Sequence, residues 1–114
     1  EDAFYNFFVK RDIKIDYLHI DADHTYEGCK QDFDLYSTIM NENGIISIHD
    51  TDEKYWESFN TYEGEPHDVC TGPSEVVKEI GDEWEIFNLF DHREKFEKLS
   101  SSGLTLLRRK SVQL

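Results

Sequence analysis

Acidic and imidazole side chains follow directly after a short apolar run near the start of the sequence. The run covers residues 17–20, and Asp21, Asp23 and His24 come next. Carboxylates are suitable ligands for a hard divalent cation, and an imidazole that titrates near neutral pH suits a general base. A structural interpretation is also open, because aspartates cap helices and a histidine at a strand end can be an ordinary hydrogen-bonding surface residue.

A second cluster of the same kind occurs later in the chain. Apolar residues 45–48 are followed by His49 and Asp50, and a helical pattern lies between the two apolar runs. Strand, helix and strand with short connections predict a βαβ unit, in which the two strands are parallel and end at the same edge of the sheet. Asp21, His49 and Asp50 are therefore candidate ligands for a divalent cation. The alternative is that His49 is simply a loop histidine.

The other elements are predicted from hydrophobic spacing and turn residues. The helix of the βαβ unit begins at Thr25 and presents one apolar face, and it is expected to end at Asn41, Asn43 and Gly44. That face comprises Tyr26, Cys29, Phe33, Tyr36 and Met40.

Further helices are expected over residues 2–11 and 73–80, strands over residues 15–20, 45–48, 85–90 and 104–108, and a long loop over residues 52–72. Residues 91–102 are predicted as a polar connector with a helical turn around Phe96 and Leu99. The fold class is thus α/β, and because the last two strands are joined without a long helix, an antiparallel partner is expected at the sheet edge.

Length and charge exclude several classes of protein. A chain of 114 residues forms one domain at most. Its net charge of −13 argues against binding to nucleic acid or to an anionic membrane surface, since both require a basic surface. The sequence has no apolar run of the ~18 residues that a bilayer-spanning helix needs. No signal peptide is visible, and the two cysteines lack the spacing of a metal site or disulfide framework, so a cytoplasmic location is expected.

Two segments together resemble a known family. They are residues 15–28, which read IDYLHIDADHTYEG, and residues 43–51, which read NGIISIHDT. They resemble the second half of class I S-adenosylmethionine-dependent methyltransferases, in the branch related to cephalosporin hydroxylase and macrolide-sugar O-methyltransferases. The resemblance extends from about Ile15 to Leu107. It implies the C-terminal half of a Rossmann-like fold, with parallel strands and a final antiparallel hairpin strand.

The resemblance also implies roles for the clustered residues. Asp21 would bind a divalent metal such as Mg²⁺, and His24 would be the catalytic base. His49 and Asp50 would complete the metal site, although the family has an acidic residue at the position of His49. The cofactor would be S-adenosylmethionine and the acceptor a small molecule with a hydroxyl group, a sugar being one candidate.

The expected cofactor cradle is not found in this sequence. The six glycines are at positions 28, 44, 64, 72, 81 and 103, so no Gly-x-Gly motif occurs, and no cofactor-binding residue can be assigned. Residues 1–114 are therefore interpreted as a single partial methyltransferase-like domain from which the N-terminal cofactor-binding half is absent. We expect little or no methyl transfer from these 114 residues alone.

Two other functions remain open. One is a small metal-dependent hydrolase, which would use the carboxylates and imidazoles of both clusters, namely Asp21, Asp23, His24, His49 and Asp50. The other is a non-catalytic module that self-associates as a homodimer through an uncovered sheet edge. The segment over residues 52–72 either borders the acceptor site or is an ordinary surface loop. Its aromatic residues are Tyr55, Trp56, Phe59 and Tyr62.

Overall fold

The computed structural model describes residues 2–21, 24–57, 71–95, 98–99 and 101–110. Its main sheet has four strands: β1 (Ile15–Ile20), β2 (Met40–His49), β3 (Trp84–Leu89) and β6 (Leu104–Arg109). Two short strands, β4 (Glu94–Lys95) and β5 (Lys98–Leu99), form a separate hairpin. The order in the main sheet is β1-β2-β6-β3. Strands β1 and β2 are parallel, and β6 is antiparallel to both β2 and β3, which confirms the predicted α/β fold class.

Four helices accompany the strands in the described residues. They are α1 (Asp2–Phe4), which continues as a π-helical turn over Tyr5–Val9, α2 (Tyr26–Tyr36), α3 (Glu53–Glu57) and α4 (Gly72–Glu79). Thr25 caps α2, because its side-chain oxygen accepts a 3.1 Å hydrogen bond from the amide of Gly28. Pro73 lies in the first turn of α4, where its missing amide hydrogen is not needed.

One face of the main sheet forms the core with α2 and α4. Ile46, Ile48 and Leu107 are fully buried on this face, and Val76 of α4 covers them. Cys29 is also fully buried, as its position in the apolar face of α2 predicted. The opposite face of the sheet exposes large apolar side chains to solvent. They are Tyr17, Ile45, Phe87 and Leu89.

The predicted helix end was wrong by one turn. Helix α2 ends at Tyr36, a 3₁₀ turn follows over Ser37–Ile39, and Met40 begins β2. Met40 is buried, and it could be buried equally well at the end of a helix or at the start of a strand. Hydrophobic spacing therefore does not distinguish the two elements here.

The residues expected to end the helix instead form an irregularity in β2. The pairing of the strands jumps from Ile15 with Met40 to Tyr17 with Ile45, so residues 41–44 bulge from the ladder. A glycine suits this bulge, since a Cβ at Gly44 would lie only 3.0 Å from the backbone oxygen of Asn41 and 3.2 Å from that of Asp16.

Two connectors also differ from their predictions. The helical turn expected around Leu99 is absent in the described residues, where Glu94 pairs with Leu99 in the hairpin of β4 and β5. The predicted loop over residues 52–72 contains α3 and the start of α4. Phe59, Tyr62, Cys70 and Phe96 lie outside the described residues.

In the described part of the chain, no helix has the length and apolar character that a membrane span requires. The cytoplasmic location stays a prediction.

Candidate functional site

The ends of the two parallel strands bring the acidic and imidazole residues together. Ile20 of β1 pairs with Ile48 of β2, so the residues that follow them, Asp21 and His49, meet at the sheet edge. Nδ1 of His49 lies 3.2 Å from Oδ1 of Asp21 and 3.1 Å from Oδ1 of Asp50. The βαβ inference therefore placed these side chains correctly, and their chemical roles stay predictions.

His24 reaches the same edge from the turn that precedes α2. Its Nε2 lies 2.7 Å from Oδ2 of Asp50, whose side chain is only 8% exposed, whereas that of His24 is 42% exposed. When Nε2 carries the hydrogen and donates it to the carboxylate, Nδ1 keeps its lone pair and can accept a proton. The backbone oxygen of His24 accepts a 3.1 Å hydrogen bond from the amide of Gly72, which fixes the turn against α4.

Asp50 is held in an unusual backbone conformation. Its φ of 64° lies in the left-handed region, which costs a residue other than glycine about 1–3 kcal/mol and persists only where the surroundings enforce it. Its amide donates to the oxygen of Gly103 at 2.9 Å, and its own oxygen accepts from Nε1 of Trp56 at 3.3 Å. These contacts hold a residue whose carboxylate faces both His24 and His49.

The cluster has the geometry of a cation site. Ligand atoms of Asp21, His24 and Asp50 all lie within 4.8 Å of one another. Nδ1 of His49 is buried and makes no hydrogen bond of acceptable direction, although two carboxylate oxygens lie within 3.2 Å of it. An orphaned imidazole nitrogen beside two carboxylates fits a divalent cation with mixed oxygen and nitrogen ligands.

The predicted ligand set and the geometric set differ in one residue. The predicted ligands are Asp21, His49 and Asp50, with His24 as the base. In the structure His24 also lies where it could bind the cation. Both assignments stay predictions. Asp23, which belonged to the hydrolase alternative, lies outside the described residues.

A hydrogen-bonded group on the open sheet face adjoins the cluster. The buried hydroxyl of Ser47 lies 2.6 Å from Nδ1 of His19 and 2.7 Å from the hydroxyl of Tyr17. Nε2 of His19 lies 3.8 Å from Oδ2 of Asp21. Ser47, which lies two residues before the end of β2, thus orients His19 towards the site.

Sequence reasoning missed two residues that shape the site. Gly72 is in close contact with the turn at His24, and the Gly-Pro pair at a helix start was the available signal. The ring of Trp56 lies 5.7 Å from that of His24, centroid to centroid. In the sequence Trp56 is one of several aromatic residues in a long segment, and nothing connects it with His24.

Comparisons with known proteins agree with this architecture. The model of a family described as a methyltransferase domain matches residues 1–51. No curated protein matches the chain significantly.

Two solved O-methyltransferases have a similar fold. The chain is similar to the O-methyltransferase TomG from Streptomyces achromogenes, involved in tomaymycin synthesis and solved in complex with SAM, with a TM-score of 0.64 and 10% identity. It is also similar to an O-methyltransferase from Bacillus cereus solved in complex with SAH, with a TM-score of 0.60 and 13% identity. In both comparisons the match covers 96% of this chain and 46% of the other, so the chain spans less than half the length of either.

At these identities the structures show a shared fold, and the family model adds a sequence match in the first part of the chain. The comparisons concern the wider family, and the narrower branch stays a prediction. The resemblance of the chain to the class I S-adenosylmethionine-dependent methyltransferases is therefore confirmed, in sequence over residues 1–51 and in fold over nearly the whole chain.

Proposed function

We propose that this chain is part of an S-adenosylmethionine-dependent O-methyltransferase that is assisted by a divalent cation. The observation that carries the proposal is the convergence of Asp21, His24 and Asp50 at the carboxyl ends of two parallel strands in a methyltransferase fold. Ligand sites of open α/β sheets lie at this edge. The two solved neighbours, which contain SAM or SAH, support the choice of methyl donor.

His24 would be the general base. The carboxylate of Asp50 orients its ring through Nε2 at 2.7 Å, so Nδ1 would take the proton of the acceptor hydroxyl. The imidazolium that forms would be stabilised by the same carboxylate. The acceptor oxygen would then bond to the methyl carbon of the donor as the bond between that carbon and the sulfonium sulfur breaks, which would leave neutral S-adenosylhomocysteine. Positioning would account for most of the remaining rate enhancement.

A divalent cation would be held by Asp21, His49 and Asp50. The two oxygens of Asp50 face different partners, Oδ1 towards His49 and Oδ2 towards His24, so one carboxylate can serve both the cation and the base. A cation of this kind lowers the pKa of a coordinated hydroxyl group. Mg²⁺ is the first candidate, because hard oxygen ligands form two thirds of the set.

The methyl donor has no assigned residues in this chain. No Gly-x-Gly motif occurs in the sequence, and we propose that the cofactor cradle lies outside these 114 residues, which would then transfer little or no methyl alone. The acceptor would be a small molecule with a hydroxyl group, a sugar among the candidates. Contact between Trp56 and His24 supports a role for residues 52–57 at the acceptor side.

A transfer assay tests the proposal. The product of the full reading frame that contains this chain is incubated with S-adenosylmethionine labelled with deuterium in its methyl group, with Mg²⁺ and with a panel of sugars and phenols. We expect a mass increase in one acceptor class. In His24→Asn the rate of this transfer should be at least ~100-fold lower, as expected for the loss of a general base. Asp34→Asn is the control, since Asp34 is exposed on α2 and paired with Lys30. Label transfer that is equal in His24→Asn and wild type would refute the assigned base.

Cation binding is tested separately by paramagnetic broadening with Mn²⁺. Signals of His24 and His49 should broaden at substoichiometric Mn²⁺ in wild type and in Asp34→Asn, but not in Asp50→Asn. Equal broadening in Asp50→Asn would contradict the assigned site. Metal-stimulated phosphatase or esterase activity without methyl transfer would instead favour the hydrolase alternative.

Self-association is the second proposal, and the open sheet face favours it. Four exposed apolar side chains lie on this face, and β1 has an unpaired edge in the described part of the sheet. Exposed edges and apolar patches of this kind promote association. Light scattering should give the mass of a homodimer, and a monomer at micromolar concentration would contradict it.

A further inference from the structure

Trp56 contacts both His24, the proposed base, and Asp50, whose carboxylate orients it. Its indole Nε1 donates to the backbone oxygen of Asp50 at 3.3 Å, and its ring lies 5.7 Å from the ring of His24. The side chain is only 9% exposed. The contact with Asp50 falls on a residue in the left-handed conformation, whose geometry depends on such external hydrogen bonds.

The helix that carries Trp56 is anchored by a buried carboxylate. Asp52 is 2% exposed, and its Oδ1 accepts a 3.0 Å hydrogen bond from the amide of Lys54 at the start of α3. Its Oδ2 lies 2.8 Å from Nε2 of His92, which belongs to the connector after β3. A buried carboxylate requires such partners, because an unpaired charge in the interior is strongly destabilising. His92 therefore holds the carboxylate that fixes α3.

We propose that Trp56 is a positioning residue for His24 and Asp50, and that the pair formed by Asp52 and His92 sets the place of Trp56. The functional meaning of this inference rests on the proposed function, whereas its geometry does not. The competing interpretation is that Asp52 and His92 merely cap a short helix. In that case a change at His92 would leave the hydrogen bond between His24 and Asp50 unaltered.

The test measures that hydrogen bond directly in the protein without added metal. Histidine is labelled with ¹⁵N, and the ring N–H signal of His24 is identified by its loss in His24→Asn. Trp56→Phe retains an aromatic ring but removes the indole donor. In Trp56→Phe we expect the ring N–H hydrogen of His24 to exchange with water about fivefold faster. A change of this size agrees with the net strength of an ordinary hydrogen bond.

Variants of the anchor separate positioning from helix capping. His92→Ala should accelerate the exchange in the same way, while His92→Gln, which keeps a donor for Asp52, should restore the wild-type rate. Trp84→Phe is the matched control, because Trp84 packs in the core against Phe33, with ring centroids 5.6 Å apart. Unchanged exchange in Trp56→Phe, or an equal change in Trp84→Phe, would overturn the inference. If the variants change the exchange rate as expected but the product of the full reading frame transfers no methyl group, that result would count against the proposed function alone.

Discussion

Replacing Gly72 with alanine should displace the turn that carries His24. A Cβ at this position would lie 2.3 Å from the backbone oxygen of His24, 2.3 Å from the carbonyl carbon of Thr25 and 2.4 Å from the amide nitrogen of Tyr26. Ordinary contact begins at 3.4 Å, so the backbone must move by about 1 Å. All three atoms belong to the main chain and cannot rotate away. Overpacking of this kind costs about 1–3 kcal/mol.

Gly81→Ala is a matched control, because a Cβ at Gly81 would meet no atom within 4 Å. Chemical denaturation should show a loss of about 1–3 kcal/mol for Gly72→Ala and a change near zero, or a gain of about 0.5 kcal/mol, for Gly81→Ala. Under the proposed function, a displacement of about 1 Å at His24 should also lower the methyl-transfer rate of the full reading-frame product about 100-fold. Equal stability of the two variants would refute the claim that close contact at Gly72 positions the turn.

Three further predictions concern single side chains. Thr25→Ala removes the cap of α2 and should cost about 1 kcal/mol in chemical denaturation, whereas Thr25→Ser should not. Arg93 holds the pKa of Asp91 at about 2, so its stabilising effect is present above pH ~4 and is lost as the pH falls towards 2; carboxyl NMR should show the pKa rising in Arg93→Gln. The hydrogen bond to Glu79 raises the pKa of Tyr26 to about 12, so its contribution is present below pH ~10 and is lost between pH ~10 and 12. Ultraviolet titration should show a lower pKa in Glu79→Gln, and an unchanged value would contradict the assigned cause.

The sequence was sufficient to locate the candidate site. Apolar runs before Asp21 and His49, with a helical pattern between them, leave little choice but a parallel pair of strands. Because parallel strands end at one edge, the pattern alone predicts that Asp21 and His49 lie together although they are far apart in sequence. The short connections of this unit are what made the inference strong.

Contacts across longer separations could not be predicted. Asp52 and His92 are 40 residues apart, and their pairing depends on how the connector after β3 folds back over α3. The left-handed conformation of Asp50 has no local signal, because it is enforced by Gly103 and Trp56 from other parts of the chain. Local propensity does not encode such constraints.

The end of α2 shows a different limit. Met40 satisfies the apolar spacing of the helix and is also a suitable first residue of a buried strand. Tertiary packing decides between the two, and the sequence pattern alone is ambiguous for short segments.

Calorimetric titration of S-adenosylmethionine into the product of the full reading frame tests the central claim most directly, because it requires no knowledge of the acceptor. We expect saturable binding of one S-adenosylmethionine per chain. The chain of 114 residues, titrated in the same way, should bind S-adenosylmethionine far more weakly. Absence of binding to the full-length product would contradict the assignment of this fold to methyl transfer.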